Sequence, residues 1–125
     1  MQISGVSMAA IPVKNLPNNN STVVVKQWLG ISSPEDIIES LVMANLADVS
    51  LQIDGDFDEL TRVAIIGSND GTAYHKLSDK QGNKLVISKS GIYSLGDNVA
   101  LLSAFLLGAG ELTKVNITLH ARRIA

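Results

Sequence analysis

Strict alternation of apolar and polar residues is the clearest pattern in this chain. Val49, Leu51 and Ile53 alternate with Ser50, Gln52 and Asp54, which predicts a strand with one buried and one wet face. Near the C-terminus, Val115, Ile117, Leu119 and Ala121 alternate in the same way with Lys114, Asn116, Thr118, His120 and Arg122. Thr22-Val23-Val24-Val25-Lys26-Gln27-Trp28 reads as a strand by its β-branched content, ended by Gly30, with Trp28 as a core or core-edge residue. The run from Val99 to Leu107 is apolar in both phases. It is either a central strand covered on both sides or a strand whose second face meets a partner.

Between these strands lies the segment around which the chain is organised. Val63 and Ile65 alternate with Arg62 and Ala64, and Asn69-Asp70-Gly71 then supplies residues that tolerate positive φ. A second turn cluster, Asp79-Lys80-Gln81-Gly82-Asn83, is closed by Leu85-Val86-Ile87. The pattern predicts two hairpins back to back, a β-meander, with Asn69, Asp70, Gly71, Gly82 and Asn83 as its structural turn residues and Gly71 in a left-handed conformation. Residues 33 to 46 carry conflicting signals. Ser33-Pro34-Glu35-Asp36 has the marks of a helix start, and Ile37, Leu41 and Ala44 share a helical face, yet a short strand fits the same stretch.

Residues 1 to 21 read as an extended N-terminal arm ahead of a sandwich domain at 22 to 125. Pro12 and Pro17 remove two backbone donors, and Asn18-Asn19-Asn20-Ser21 is turn-forming. Ile3, Val6, Met8, Ile11, Val13 and Leu16 follow neither a helical nor a strand period but are too apolar to stay solvated, so they are expected to contact a partner. The elements together predict an all-β fold: a single antiparallel β-sandwich, jelly-roll-like, of about seven or eight strands.

Composition narrows the function. At 125 residues the chain is one domain by size. Ten Lys and Arg against twelve Asp and Glu give no electrostatic footprint for a nucleic-acid backbone. No apolar run reaches the roughly 20 residues of a membrane-spanning helix, and no basic segment precedes an apolar core at the N-terminus as in a cleaved signal. The absence of cysteine rules out disulfides and thiolate metal sites.

Candidate chemistry is sparse. Asp54, Asp56 and Asp58 match the first three ligand positions of a calcium-binding EF-hand loop, but Glu59 stands where that loop needs glycine and Ile65 where it needs a bidentate glutamate. His75 and His120 form no metal-binding pair. No nucleophile elbow is present. The expectation is therefore a protein that is not an enzyme and needs no cofactor or metal.

The run Gly67-Ser68-Asn69-Asp70-Gly71-Thr72, the aromatic Tyr74, Leu77-x-Asp79, Gly82-Asn83-x-Leu85 and Ser90-Gly91-Ile92 form one motif series, followed by Val115-x-Ile117-x-Leu119-x-Ala121-Arg122-Arg123. Over roughly residues 47 to 123 this series resembles small β-sandwich virion proteins of tailed bacteriophages, of the capsid cement or decoration type. The resemblance implies a structural protein on the capsid exterior, made in the host cytoplasm, that binds the assembled head and staples neighbouring major capsid subunits. Laid on that family, Asp36 falls in a turn and Leu41-Val42-Met43 in a short strand. A homo-oligomer, dimer or trimer, would cover its edge strands. The rival expectation is a carbohydrate-binding or fibre- and tail-associated module for host attachment. That reading needs aromatic platforms, and Trp28, Tyr74, Tyr93, Phe57 and Phe105 are the whole supply.

Overall fold

The alternating segments become the long strands of two facing sheets, in a computed structural model that describes residues 9–17 and 22–124. In chain order the strands are β1 (Ala10–Ile11), β2 (Lys14–Asn15), β3 (Val23–Ile31), β4 (Ile37–Ile38), β5 (Leu41–Val42) and β6 (Leu46–Asp56). They continue as β7 (Val63–Ser68), β8 (His75–Lys76), β9 (Val86–Ile87), β10 (Gly91–Ser94), β11 (Leu101–Leu106) and β12 (Lys114–Arg123).

The larger sheet has the order β10-β6-β12-β3-β2, and the smaller one β5-β11-β7-β8, with β9 also pairing on β7. The chain switches sheets at nearly every connection: β3, β6, β10 and β12 lie in one, and β5, β7, β8 and β11 in the other. Read by position, these eight strands follow the double Greek-key order of a jelly roll. The fold is thus the expected all-β antiparallel sandwich, with one addition. β1 pairs with β4 in parallel, forming a two-stranded ribbon beside the main sheets.

The core lies between the inner faces. Leu51 and Ile53 from β6, Val115, Ile117 and Leu119 from β12, and Val63 and Ile65 from β7 are all essentially inaccessible. Trp28 is 1% exposed, and its indole N–H donates to the Glu39 carbonyl at 2.8 Å, which satisfies its polar end inside the core.

Four local readings need correction or resolution. Gly30 does not end β3. It lies inside the strand at φ +73°, and with Leu29 it stands opposite the single residue Asn116, between the pairs Trp28–Ile117 and Ile31–Val115. This is a β-bulge, held by the Gly30 N–H donating to Asn116 Oδ1 at 2.9 Å, and it lets both Trp28 and Ile31 point inward.

Both expected hairpins form, the second closed by the antiparallel Ser78–Lys84 bridge, but they do not lay three strands side by side as a meander. β8 and β9 lie end to end along the same edge of β7, with His75 opposite Gly67 and Ile87 opposite Val63. Leu77 and Leu85 both come to rest against Ile65: the Leu77 N–H donates to the Ile65 carbonyl at 2.9 Å, and the Ile65 N–H to the Leu85 carbonyl at 3.0 Å. Both leucines are buried by this arrangement, worth about 1.5–3 kcal/mol each.

Residues 33 to 46 form no helix. Asp36 is buried, and its carboxylate accepts the backbone N–H groups of Ser32, Ser33 and Ala9 at 2.9, 3.1 and 3.1 Å. Its side chain therefore closes a turn and clasps the N-terminal segment instead of starting a helix.

The described part of the arm is built into the sandwich. β2 pairs with β3, β1 with β4, and Ile11 is 6% exposed within the core.

Candidate partner-contact surfaces

The two turns that the sequence singles out are positioned by short side chains bonding local backbone. Ser68 Oγ accepts the N–H groups of Asp70 and Gly71 at 3.2 and 2.9 Å, and Asp70 Oδ1 accepts those of Thr72 and Ala73 at 2.8 and 3.0 Å. Those backbone bonds, first Thr72 and then Ala73, followed by the Ser68 hydroxyl, lower the Asp70 pKa to about 2. Gly71 adopts φ +79°, the left-handed conformation expected of it. Asn69 reaches across to accept the Ala100 N–H at 3.0 Å, tying this turn to the start of β11. In the second turn Asp79 Oδ1 accepts from Gln81 and Asn83, both at 2.9 Å, while Gly82 stands at φ +87°. Both turns are scaffolding, and neither gathers a reactive set.

The residues expected to meet a partner separate into three groups. Ile3, Val6 and Met8 lie outside the described residues. Ile11 belongs to the protein's own core and is closed to outside contact. Val13 and Leu16 are half-buried, Val13 packing on the core and Leu16 bonding through its N–H to the Val25 carbonyl at 3.2 Å.

The register of the two sheets reveals a surface the sequence marked only in part. On the outer face of the larger sheet, one row crosses Ile92, Gln52, Thr118, Gln27 and Lys14, and the next crosses Ser94, Ser50, His120 and Val25. That face is mostly polar and internally bonded, with Gln27 Nε2 donating to Thr118 Oγ1 at 3.1 Å, Val25 buried and Ile92 its one exposed apolar residue in these rows. On the outer face of the smaller sheet the rows are Val42, Leu101 and Ser68, then Ser103, Ile66 and Lys76, then Phe105, Ala64 and Val86. Here Ser68, Ser103 and Ala64 are buried beneath their neighbours, Val42 is 63% exposed, and Leu101, Ile66, Phe105 and Val86 are half-buried. Of the two readings open for Val99 to Leu107, the structure thus shows a strand with one phase in the core and the other on an apolar outer face. Ile66 and Val86 joined this face unannounced, because only pairing across β11, β7 and β9 brings them beside Phe105.

The weighed chemical groups do not converge. Asp54 Oδ2 accepts from Gln52 at 3.0 Å, whereas Asp58 Oδ2 accepts from the Thr113 hydroxyl at 2.7 Å. Since that hydroxyl has one proton and gives it to a carboxylate, the buried Thr61 hydroxyl, 3.1 Å away, donates to Thr113. Among the described residues, no three His, Cys, Asp or Glu side chains form a group able to hold a metal ion. His75 and His120 are exposed on different sheets.

No family model and no curated protein sequence matches the chain. Among solved structures, it is similar to SPBc2 prophage-derived protein YomS, with a TM-score of 0.56 over 83% of this chain and 97% of that one, at 11% sequence identity. YomS shares its fold. The likeness runs over nearly the whole of YomS, and at that identity it speaks for architecture alone.

Proposed function

We propose that this chain is a structural virion protein of a tailed bacteriophage, a cement or decoration protein that binds the outside of the assembled head and staples neighbouring major capsid subunits. The observation that carries the reading is the asymmetry of the two outer faces. One is polar apart from Ile92 at its edge, whereas the other brings the exposed Val42 and the half-buried Leu101, Ile66, Phe105 and Val86 together. A contiguous apolar face on a small domain is the signature of a protein-contact surface. The fold shared with a prophage-derived protein and the turn motifs of residues 67 to 85 support a phage setting.

The mechanism is additive adhesion. A protein that binds only the assembled lattice stabilises that lattice by mass action, and many weakly held copies together resist outward pressure. Catalysis has no part in it. A sugar-reading fibre or tail module is the rival, and the burial of Trp28 removes the best stacking platform from that account.

Co-sedimentation with purified virions tests the proposal. Copy numbers on the order of hundreds per particle are expected of a lattice-binding protein; a handful of copies, or saturable binding of host glycans by calorimetry, would replace it with the tail or fibre reading.

A further inference from the structure

β10 is an edge strand of the larger sheet. It pairs with β6 alone, and no strand of the described residues lies on its other side. The remaining edge strands, β2, β5, β8 and β9, span two residues each, and β2 and β8 carry a lysine, a common guard against edge-to-edge pairing. β10 is four residues long, and Gly91-Ile92-Tyr93-Ser94 contains no charge, no proline and no bulge.

The register shows what this edge offers. The Leu95 N–H donates to the Val49 carbonyl at 3.0 Å, which sets the phase: Tyr93 exchanges its bonds with Leu51 and Gly91 with Ile53. The N–H and C=O groups of Ile92 and Ser94 therefore point away from β6, and no group among the described residues bonds them. The Ile92 side chain beside them is 72% exposed. Tyr93 braces the strand from its other face. Its ring packs on the core and lies over Gly91, and its hydroxyl donates to the Lys89 carbonyl at 2.8 Å.

We propose that the occupant of this edge is a second copy of the chain, paired β10 to β10 in antiparallel fashion about a two-fold axis at Tyr93. Ile92 then exchanges both its bonds with Ser94 of the second copy, and the two Tyr93 residues face each other across the axis. The flanking charges select this register. Lys89 and Asp97 are the first charged residues on either side of β10, and each lies four positions from Tyr93, so the two-fold brings each lysine toward the other copy's aspartate. Lys89 is exposed and forms no ion pair among the described residues, while Asp97 holds the Ser78 N–H at 2.7 Å with one carboxylate oxygen and keeps the other for that contact. The next registers, two residues either way, set Lys89 against Leu95 or Val99 instead. Because the alternation of side chains continues across the axis, both smaller sheets lie on the same side of the joined sheet, and the dimer points two apolar faces one way. Two such faces on one particle strengthen attachment to a repeating lattice, although the dimer itself does not rest on the capsid reading.

The test uses the full chain in solution, by analytical ultracentrifugation and residue-resolved amide exchange. Sedimentation across a dilution series should show a reversible equilibrium of monomer and dimer. In the dimer the Ile92 and Ser94 N–H groups should exchange slowly and become fast on dilution, while those of Tyr93 and Leu95, bonded to β6, stay slow throughout. Ser94→Pro removes an outward donor without touching the β6 ladder and should give a monomer with the native circular dichroism spectrum. Lys89→Asp, an exposed change that sets carboxylate against carboxylate, should raise the dissociation constant about tenfold. Should Ser94→Pro not fold, the exchange pattern and Lys89→Asp decide alone. A monomer at every concentration overturns the proposal, as does a folded Ser94→Pro protein that still dimerises, or a dimer whose Ile92 and Ser94 amides exchange as fast as in the monomer. Protection of those amides that ignores dilution also overturns it, because the chain's own residues would then cover the edge. Dimerisation of Lys89→Asp at native strength overturns the register.

Discussion

Gly71 shows how a single backbone angle can carry the central turn. At φ +79° it lies where a β-branched side chain collides with its own backbone, although an added Cβ would meet only Leu101 Cδ1, at an ordinary 3.5 Å. The cost of substitution is therefore conformational rather than crowding. Gly71→Val should lose roughly 1–2 kcal/mol in urea denaturation while Gly71→Asn loses much less, since Asn tolerates the left-handed region; equal stability of the two variants would refute this. Asp70, beside it, gives a pH signature. Its pKa is depressed to about 2, so the native state holds the proton less tightly than the unfolded chain. The stabilisation it provides is present above the ordinary carboxylate range and is lost as pH falls through about 2. The stability gap between native protein and Asp70→Asn should be open at pH 6 and closed near pH 2, and a carboxyl NMR titration of Asp70 should have its midpoint near the lower value. These turn residues were legible in the sequence because positive φ and side-chain-to-backbone bonds are local matters. Asp36 was not, since Ser33-Pro34-Glu35-Asp36 carries the same local signals as a helix start, and its distant bond to Ala9 decides the outcome.

At the scale of elements, the alternating stretches of β6 and β12 were readable, because one face of each is buried and the register leaves a period of two, although β6 runs from Leu46 to Asp56, beyond the alternation of residues 49 to 54. The short elements were not. β1, β2, β4 and β5 span two residues each, too few for any periodicity, and they owe their place to pairing with partners far along the chain. The reading of residues 1 to 21 as an arm ahead of the sandwich changes accordingly for its described part, residues 9 to 17. Ile11→Ala should cost roughly 2–4 kcal/mol, as for other buried aliphatics, and deletion of residues 2 to 18 should lower the melting temperature sharply by removing β1, β2 and the Ala9 clasp on Asp36. If that deletion shifted the melting temperature by no more than a few degrees, the segment from Ala9 to Leu16 would not be structural.

For the whole molecule, topology turns a sequence pattern into two unlike faces. The sequence showed that Val99 to Leu107 is apolar in both phases, and so posed the choice between a covered strand and a contact face. It could not show which other residues stand beside Leu101 and Phe105, because the neighbours come from β5, β7 and β9. Once paired, they make one side of the sandwich more apolar than the other, and the proposed attachment to a capsid rests on that difference. The direct measurement is binding of the Val42→Lys, Val86→Lys double variant to assembled phage heads by co-sedimentation, with Gln27→Lys, Gln52→Lys as the matched control on the opposite face. The account predicts that the first variant keeps its melting temperature within a few degrees yet loses most of its occupancy, while the control binds as the native protein does. Native occupancy by the Val42, Val86 variant, with loss in the control instead, would contradict it.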